Sequence, residues 1–169
     1  IKENDKIFLT KTYSDEQTIA DKLLYINSLS VQKYSVIDTE IIKLQEDLDV
    51  KYNDEQIMAI KNALESRISI ITGGPGTGKT TIVKAIVKLY RIIHRLSEQD
   101  VSEQIALIAP TGRASKKLSE ATGLGGSTIH RFLKWNKETD DFQINEMNPN
   151  YQKLIIIDET SMIDTPLFS

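Results

Sequence analysis

Cysteine is absent from the 169 residues, so disulfides and thiolate metal sites are excluded. Long hydrophobic runs are missing as well. No stretch approaches the ~18 apolar residues of a membrane span, and no basic-then-apolar signal pattern is present. A soluble, cytoplasmic protein with no membrane partner is therefore the expectation. Charge of one sign is also lacking: 21 Lys and Arg against 24 Asp and Glu leave a net charge of −3. That balance gives no whole-molecule attraction to nucleic acid, so any such contact must rest on a local patch. Internal repeats and low-complexity tracts do not occur. What is there, 40% hydrophobic and 27% charged residues, is enough for one packed domain plus an appendage.

The most informative segment is Gly73-Gly74-Pro75-Gly76-Thr77-Gly78-Lys79-Thr80, a full match to the P-loop pattern G-x-x-x-x-G-K-[ST]. Such a loop turns successive backbone N–H groups inward and ends on a helix N-terminus, so phosphate oxygens meet many donors and a positive dipole end. The flanks supply the context that the motif needs. Arg67–Thr72 is a β-branched run of strand length, and Lys79 to about Arg95 carries a helical apolar stripe through Ile82, Val83, Ile86, Val87, Leu89, Tyr90 and Ile93. The prediction is a nucleoside triphosphate site built from Gly74, Pro75, Gly76, Thr77, Gly78, Lys79, Thr80 and Thr81.

A second element follows, where Leu154-Ile155-Ile156-Ile157 runs into Asp158-Glu159. Four consecutive apolar residues predict a central parallel strand covered on both faces, with its acidic pair at the carboxyl end where open α/β sheets bind ligands. In a P-loop protein Asp158 would hold Mg²⁺ beside the Thr80 hydroxyl, and Glu159 would orient and deprotonate the attacking water. An acidic pair after a strand is otherwise a solvated turn or a helix cap.

Elsewhere, Ser14 and Gln17 make a capping-box pattern ahead of a helix that ends near Leu29, and a second helix or a connector covers Ile37 to Leu48. Asn53-Asp54-Glu55-Gln56 reads as the start of a new unit, which divides the chain into a helical segment, 1–50, and a nucleotide-binding domain, 51–169. Gln104–Ala109 reads as a buried strand, followed by Pro110-Thr111-Gly112-Arg113 and a helix bearing Lys116 and Lys117 that Gly123 and Gly125-Gly126 break. Ser127–Leu133 reads as a short capped helix and Trp135–Ile144 as a protruding hairpin. This order is that of an α/β fold, a parallel sheet wound by right-handed crossovers. Because a P-loop sheet needs further strands beyond the acidic pair, a fragment of a larger protein is expected.

Taken in order, Asn53–Gln56, Gly73–Thr81, Ala109-Pro110-Thr111-Gly112-Arg113-Ala114, Ser127-Thr128-Ile129-His130 and Asp158-Glu159-Thr160-Ser161 resemble the superfamily 1 DNA helicases of the RecD type over residues 53–164. The resemblance implies a RecA-like P-loop NTPase fold and an ATP-dependent DNA motor that uses ATP and Mg²⁺. It implies 5′-to-3′ travel on single-stranded DNA, work in DNA recombination and repair, and nuclease or helicase subunits as partners. By that resemblance Gln56 contacts adenine, a role compatible with plain capping, while Lys79 balances charge on the transferring phosphate. Lys79 and Glu159 are then the catalytic pair, Thr80 and Asp158 the metal ligands, and Pro110, Thr111, Arg113 and His130 the DNA contacts. His130 is equally suited to packing, as are Phe132 and Trp135. A second motor domain with an arginine finger, worth about 10³–10⁵ in rate, lies outside these residues, so this piece alone is expected to turn over ATP slowly or not at all. A nucleotide-binding regulatory module of a DNA-repair assembly is the alternative reading.

Overall fold

The computed structural model describes residues 2–3, 6–74 and 76–169. A short antiparallel ladder, β1 (Lys2–Glu3) with β2 (Lys6–Ile7), precedes α1 (Thr10–Ser28), α2 (Ile37–Leu48) and α3 (Asp54–Leu64). Then come α4 (Lys79–His94), α5 (Glu98–Gln104), β3 (Ile105–Ala109) and α6 (Gly112–Thr122). They are followed by β4 (Gly126–Thr128), α7 (Ile129–Phe132), the hairpin strands β5 (Trp135–Asn136) and β6 (Asp141–Phe142), and β7 (Leu154–Ile157). A 3-10 turn, Thr160–Met162, leads to α8 (Thr165–Phe168).

The central sheet has the order β4-β3-β7, all parallel. β3 is buried along its whole length, and its two faces serve different layers. Ile105 and Leu107 pack with Val87 of α4, Val101 of α5 and Leu118 of α6. Ala106 and Ile108 pack with Ile129, backed by Phe132, Ile157, Ile163 and Leu167. Strand alternation explains this split, and burial on both faces explains an unbroken apolar run. A further cluster joins Ile37, Ile41 and Leu44 of α2, Tyr52 just ahead of α3, Ile60 and Leu64 within it, and Ile82, Ala85, Ile86 and Leu89 of α4. Thus α2, on the far side of the sequence boundary at residue 50, shares the core of α3 and α4. α1 touches α8 and has no buried residue.

Several expectations are corrected. Arg67–Thr72 is not a strand. A strand exists through its ladder, and among the described residues β7 pairs with β3 alone and its other edge is open. Ile71 packs on the α2–α4 core, whereas Ile70 stays 82% exposed, so the β-branched run is satisfied by one-sided burial. β7 is consequently an edge strand, with Ile155 exposed, and β3 takes the centre. Ser14 is no cap: the Tyr13 N–H donates to Leu9 O at 3.0 Å, and a Phe8–Tyr13 ring contact at 5.5 Å holds the entry, so α1 starts upstream. The short capped helix forms as α7, with the Thr128 hydroxyl accepting from the Arg131 N–H at 3.3 Å, but Ser127 and Thr128 themselves belong to β4, because Ile108 and Ala109 offer them a ladder.

Candidate functional site

The glycine loop owes its path to two left-handed residues, Gly76 at φ 76° and Gly78 at φ 84°, a region that costs other residues about 1–2 kcal/mol. Pro75 lies outside the described residues. Across the loop, the Lys79 ammonium donates to the carbonyls of Gly73 at 2.6 Å and Gly74 at 2.9 Å. The Thr77 hydroxyl also donates to Gly74 O, at 2.9 Å. A Cβ on Gly73 would fall 2.6 Å from Thr77 Oγ1, and one on Gly78 2.6 Å from Gln56 Nε2. The loop is therefore a tight cradle closed by a cation. Behind it α4 starts with no side-chain cap, leaving the N–H groups of its first turn, with Thr80 and Thr81, available to an anion.

Gln56 sits against this loop. Its Oε1 accepts from the Asn53 N–H at 3.1 Å, its own N–H donates to Asn53 Oδ1 at 2.8 Å, and its Nε2 donates to Thr77 O at 3.3 Å. The capping box is formed, and the side chain reaches beyond it.

The sheet register aligns the other predicted residues along one edge. Ile108 pairs with Ile157 and Ala109 with Thr128, and the Asp158 N–H donates to Ile108 O at 3.0 Å. Pro110 and Thr111, Asp158 and Glu159, and His130 thus all leave the carboxyl end of the parallel sheet. Leu154 and Ile156 of β7 pack on the core that α4 shares, which ties this edge to the glycine loop. One Asp158 oxygen accepts from the Glu159 N–H at 2.9 Å; the other has no protein donor among the described residues. Glu159 is exposed and has φ 54°, a left-handed backbone of the kind that costs energy and is found at functional sites. Among the described residues no hydrogen bond or ion pair joins Asp158 or Glu159 to Lys79 or Thr80.

Thr111 caps α6, its hydroxyl accepting from the Ala114 N–H at 3.2 Å. Arg113, Lys116 and Lys117 are exposed on α6, and Lys116 reaches Glu120 at 3.9 Å. His130 stands in an aromatic trio, with ring centroids 6.0 Å from Trp135 and 5.8 Å from Phe142. Phe132 packs inward with Ala106 and Ile108.

One feature escaped sequence reasoning. A cavity of ≈ 300 Å³ opens beside the first turn of α4, lined by Leu48, Val50, Tyr52, Thr80, Thr81, Lys84 and Ala121. The Tyr52 hydroxyl is buried there with no hydrogen-bond partner among the described residues, and burial pushes its phenol pKa up. Lys84 one turn after Thr80 was legible as a helical neighbour; Tyr52 carried no signal of its own.

Residues 56–169 match the family model described as AAA domain. The chain is 35% identical over 115 residues to the ATP-dependent RecD2 DNA helicase of Deinococcus radiodurans, covering 68% of this chain and 15% of that protein. It is 30% identical over 190 aligned residues to the RecBCD enzyme subunit RecD of Haemophilus influenzae, covering 96% of this chain and 28% of that one. The RecBCD enzyme subunit RecD of Mycolicibacterium smegmatis is 35% identical over 133 residues, 69% of this chain and 24% of the relative. The chain therefore spans between 15% and 28% of the length of these three relatives. With its glycine loop, uncapped helix start and acidic strand end all inside the matched region, the chain belongs to the AAA domain family and, within it, is RecD-like.

Proposed function

We propose that the intact protein is an ATP-dependent DNA helicase and that these residues form the ATP-binding part of its motor. The observation that carries the reading is the glycine cradle itself, with Lys79 held over two loop carbonyls at the uncapped start of α4. A cradle that a Cβ would fill, closed by an ammonium, fits a polyphosphate. Gly74, Gly76, Thr77, Gly78 and Thr81 would hold the phosphates, and Lys79 would exchange its two carbonyl partners for phosphate oxygens. Pro75 completes the same motif in sequence.

The donor set for a metal is hard oxygen, the Thr80 hydroxyl and the Asp158 carboxylate, which suits Mg²⁺. When bound, Mg²⁺ would neutralise phosphate charge. Glu159 would take the proton of the attacking water, its exposed carboxylate having no protein cation to quench it among the described residues. Gln56 would contact adenine with the donor and the acceptor that its internal bonds leave over.

DNA would run over the carboxyl edge, met by Pro110, Thr111, Arg113 and His130. Arg113 and Lys117 supply the local positive charge that a net charge of −3 denies the whole chain. From the RecD kinship we propose 5′-to-3′ travel, a part in DNA recombination or repair, and nuclease or helicase subunits as partners. No helix among the described residues is long and apolar enough to cross a membrane, and we place the protein in the cytoplasm. We further propose 1–50 as a helical segment leading into the motor unit, 51–169, which alone would hydrolyse ATP slowly or not at all.

The test is ATP hydrolysis by the intact protein with and without a single-stranded oligonucleotide, with Lys79→Ala as the blank. Stimulation that vanishes in the blank, and in Glu159→Gln with ATP binding retained, supports a DNA-coupled motor. ATP binding without stimulation refutes it in favour of a regulatory nucleotide module. Strand displacement from 5′-tailed against 3′-tailed duplexes decides polarity.

A further inference from the structure

We infer that Gln56 is a positioning residue of the glycine loop: its side-chain amide ties the start of α3 to the Thr77 carbonyl and so sets the orientation of the peptide that enters α4. The inference rests on the nucleotide-binding reading of the loop and goes beyond the adenine contact. Three observations carry it.

The first is that the amide spans two structures. Its oxygen is held by the Asn53 N–H at 3.1 Å, and its nitrogen donates to Thr77 O at 3.3 Å. The second is that its base is fixed. α3 is anchored by Ile60 and Leu64 in the core, and the Gln56 N–H is itself held by Asn53 Oδ1 at 2.8 Å. The third is that the loop makes room for it. At Gly78 the backbone is left-handed, and a Cβ would come 2.6 Å from Gln56 Nε2, so the amide lies where only a glycine lets it lie.

The consequence follows from peptide geometry. In a planar trans peptide the carbonyl and the next N–H point in opposite directions. Holding Thr77 O towards α3 therefore turns the Gly78 N–H to the opposite side, away from α3. Without the tie, the orientation of the Thr77–Gly78 peptide is left to ψ of Thr77 and φ of Gly78, and the glycine leaves the second of these open. Gln56 thereby prepays part of the ordering that an anion would otherwise impose on the loop. One hydrogen and one lone pair of the amide remain for a base.

The two roles of Gln56 separate with a ligand that has phosphates and no base. Affinities of the intact protein and Gln56→Met for Mg·ATP and Mg·tripolyphosphate would be measured by calorimetry, with Gln56→Asn, too short to reach Thr77, as a second variant. Hydrogen exchange of the Gly78 amide would be followed in the ligand-free proteins. The positioning role predicts that tripolyphosphate weakens about threefold to tenfold and ATP by at least that factor, and that Gly78 exchanges faster while the amides of Ile60 to Leu64 keep their wild-type protection. Loss confined to ATP, with Gly78 exchange unchanged, overturns it and leaves a base contact alone. If the wild-type protein binds neither ligand, the nucleotide reading fails, and the exchange measurement still decides whether Gln56 holds the loop.

Discussion

The two left-handed glycines of the loop offer a matched pair for measuring what Gln56 contributes to stability. Gly76 has φ 76° and, among the described residues beyond its chain neighbours, nothing within 4 Å of where an alanine methyl would stand, whereas Gly78 has φ 84° and Gln56 Nε2 at 2.6 Å from that point. Substituting alanine at either costs about 1–2 kcal/mol for the left-handed backbone, offset by about 0.4–1 kcal/mol from the stiffer unfolded chain. Gly76→Ala should therefore lose about 1 kcal/mol. Gly78→Ala carries the same loss and also pushes the amide aside. Because the amide is the free end of a flexible side chain, the clash is relieved by rotation, and what is lost is its hydrogen bonding, about 0.5–1.5 kcal/mol. The total is about 2 kcal/mol. In a Gln56→Ala background nothing remains to displace, so Gly78→Ala should fall to the value of Gly76→Ala, giving a coupling of about 1 kcal/mol. Urea unfolding of the 169-residue chain, followed by the fluorescence of Trp135, its sole tryptophan, gives each value from midpoint and slope. Equal cost of Gly78→Ala in both backgrounds would refute the reasoning, as would Gly76→Ala costing as much as Gly78→Ala.

Leu89 is fully buried between α2, α3 and α4, so Leu89→Ala should lose about 2–5 kcal/mol in the same urea experiment, while Leu24→Ala, at a residue 69% exposed, should change stability by under about 0.5 kcal/mol. Thr111→Ala removes the cap of α6 and should cost about 1 kcal/mol, which Thr111→Ser restores; a DNA-binding loss that Ser does not repair would separate the threonine methyl from the cap. His94 accepts or donates at 3.2 Å to the Tyr34 hydroxyl and stacks 4.2 Å from Tyr90, and burial lowers its pKa below the ordinary 6.5. Well above pH 6.5 both folded and unfolded chains hold it neutral and it contributes nothing to pH dependence. As pH falls below 6.5 the unfolded chain takes up the proton first, so stability falls until the folded value is passed. Thermal unfolding from pH 7.5 to 5 should show this slope, and His94→Gln should flatten it.

The residues legible in the sequence were those whose signal is local. The glycine loop, the Asn53–Gln56 capping box and the stripe of α4 each depend on spacing within a few residues, and each forms as spaced. The apolar runs that became β3 and β7 were legible as strands from their composition and length, although only β3 is buried along its length while β7 lies at the edge with Ile155 exposed. Ser97 and Asp100, which box α5 in the same reciprocal way, carried an equally local signal that went unread. By contrast, Arg67–Thr72 has strand composition without a strand, and Gly126–Thr128 has a strand without strand composition. The difference lies in whether a partner edge is offered, which β3 does for Ser127 and Thr128 and β7 does not for Ile68 to Thr72. Composition sets what a segment tolerates, and the ladder decides what it becomes. The same distinction separates the two roles of Gln56. As a cap it answers to a residue three positions away, readable in the chain; as the tie to Thr77 it answers to one 21 positions away, and only the packing of α3 on α4 brings the two together. Functional geometry of this second kind appears only once the helices are docked, which is why Tyr52 and the Gln56 tie emerged from the structure while Lys79, Thr80 and Asp158 were already marked by their motifs.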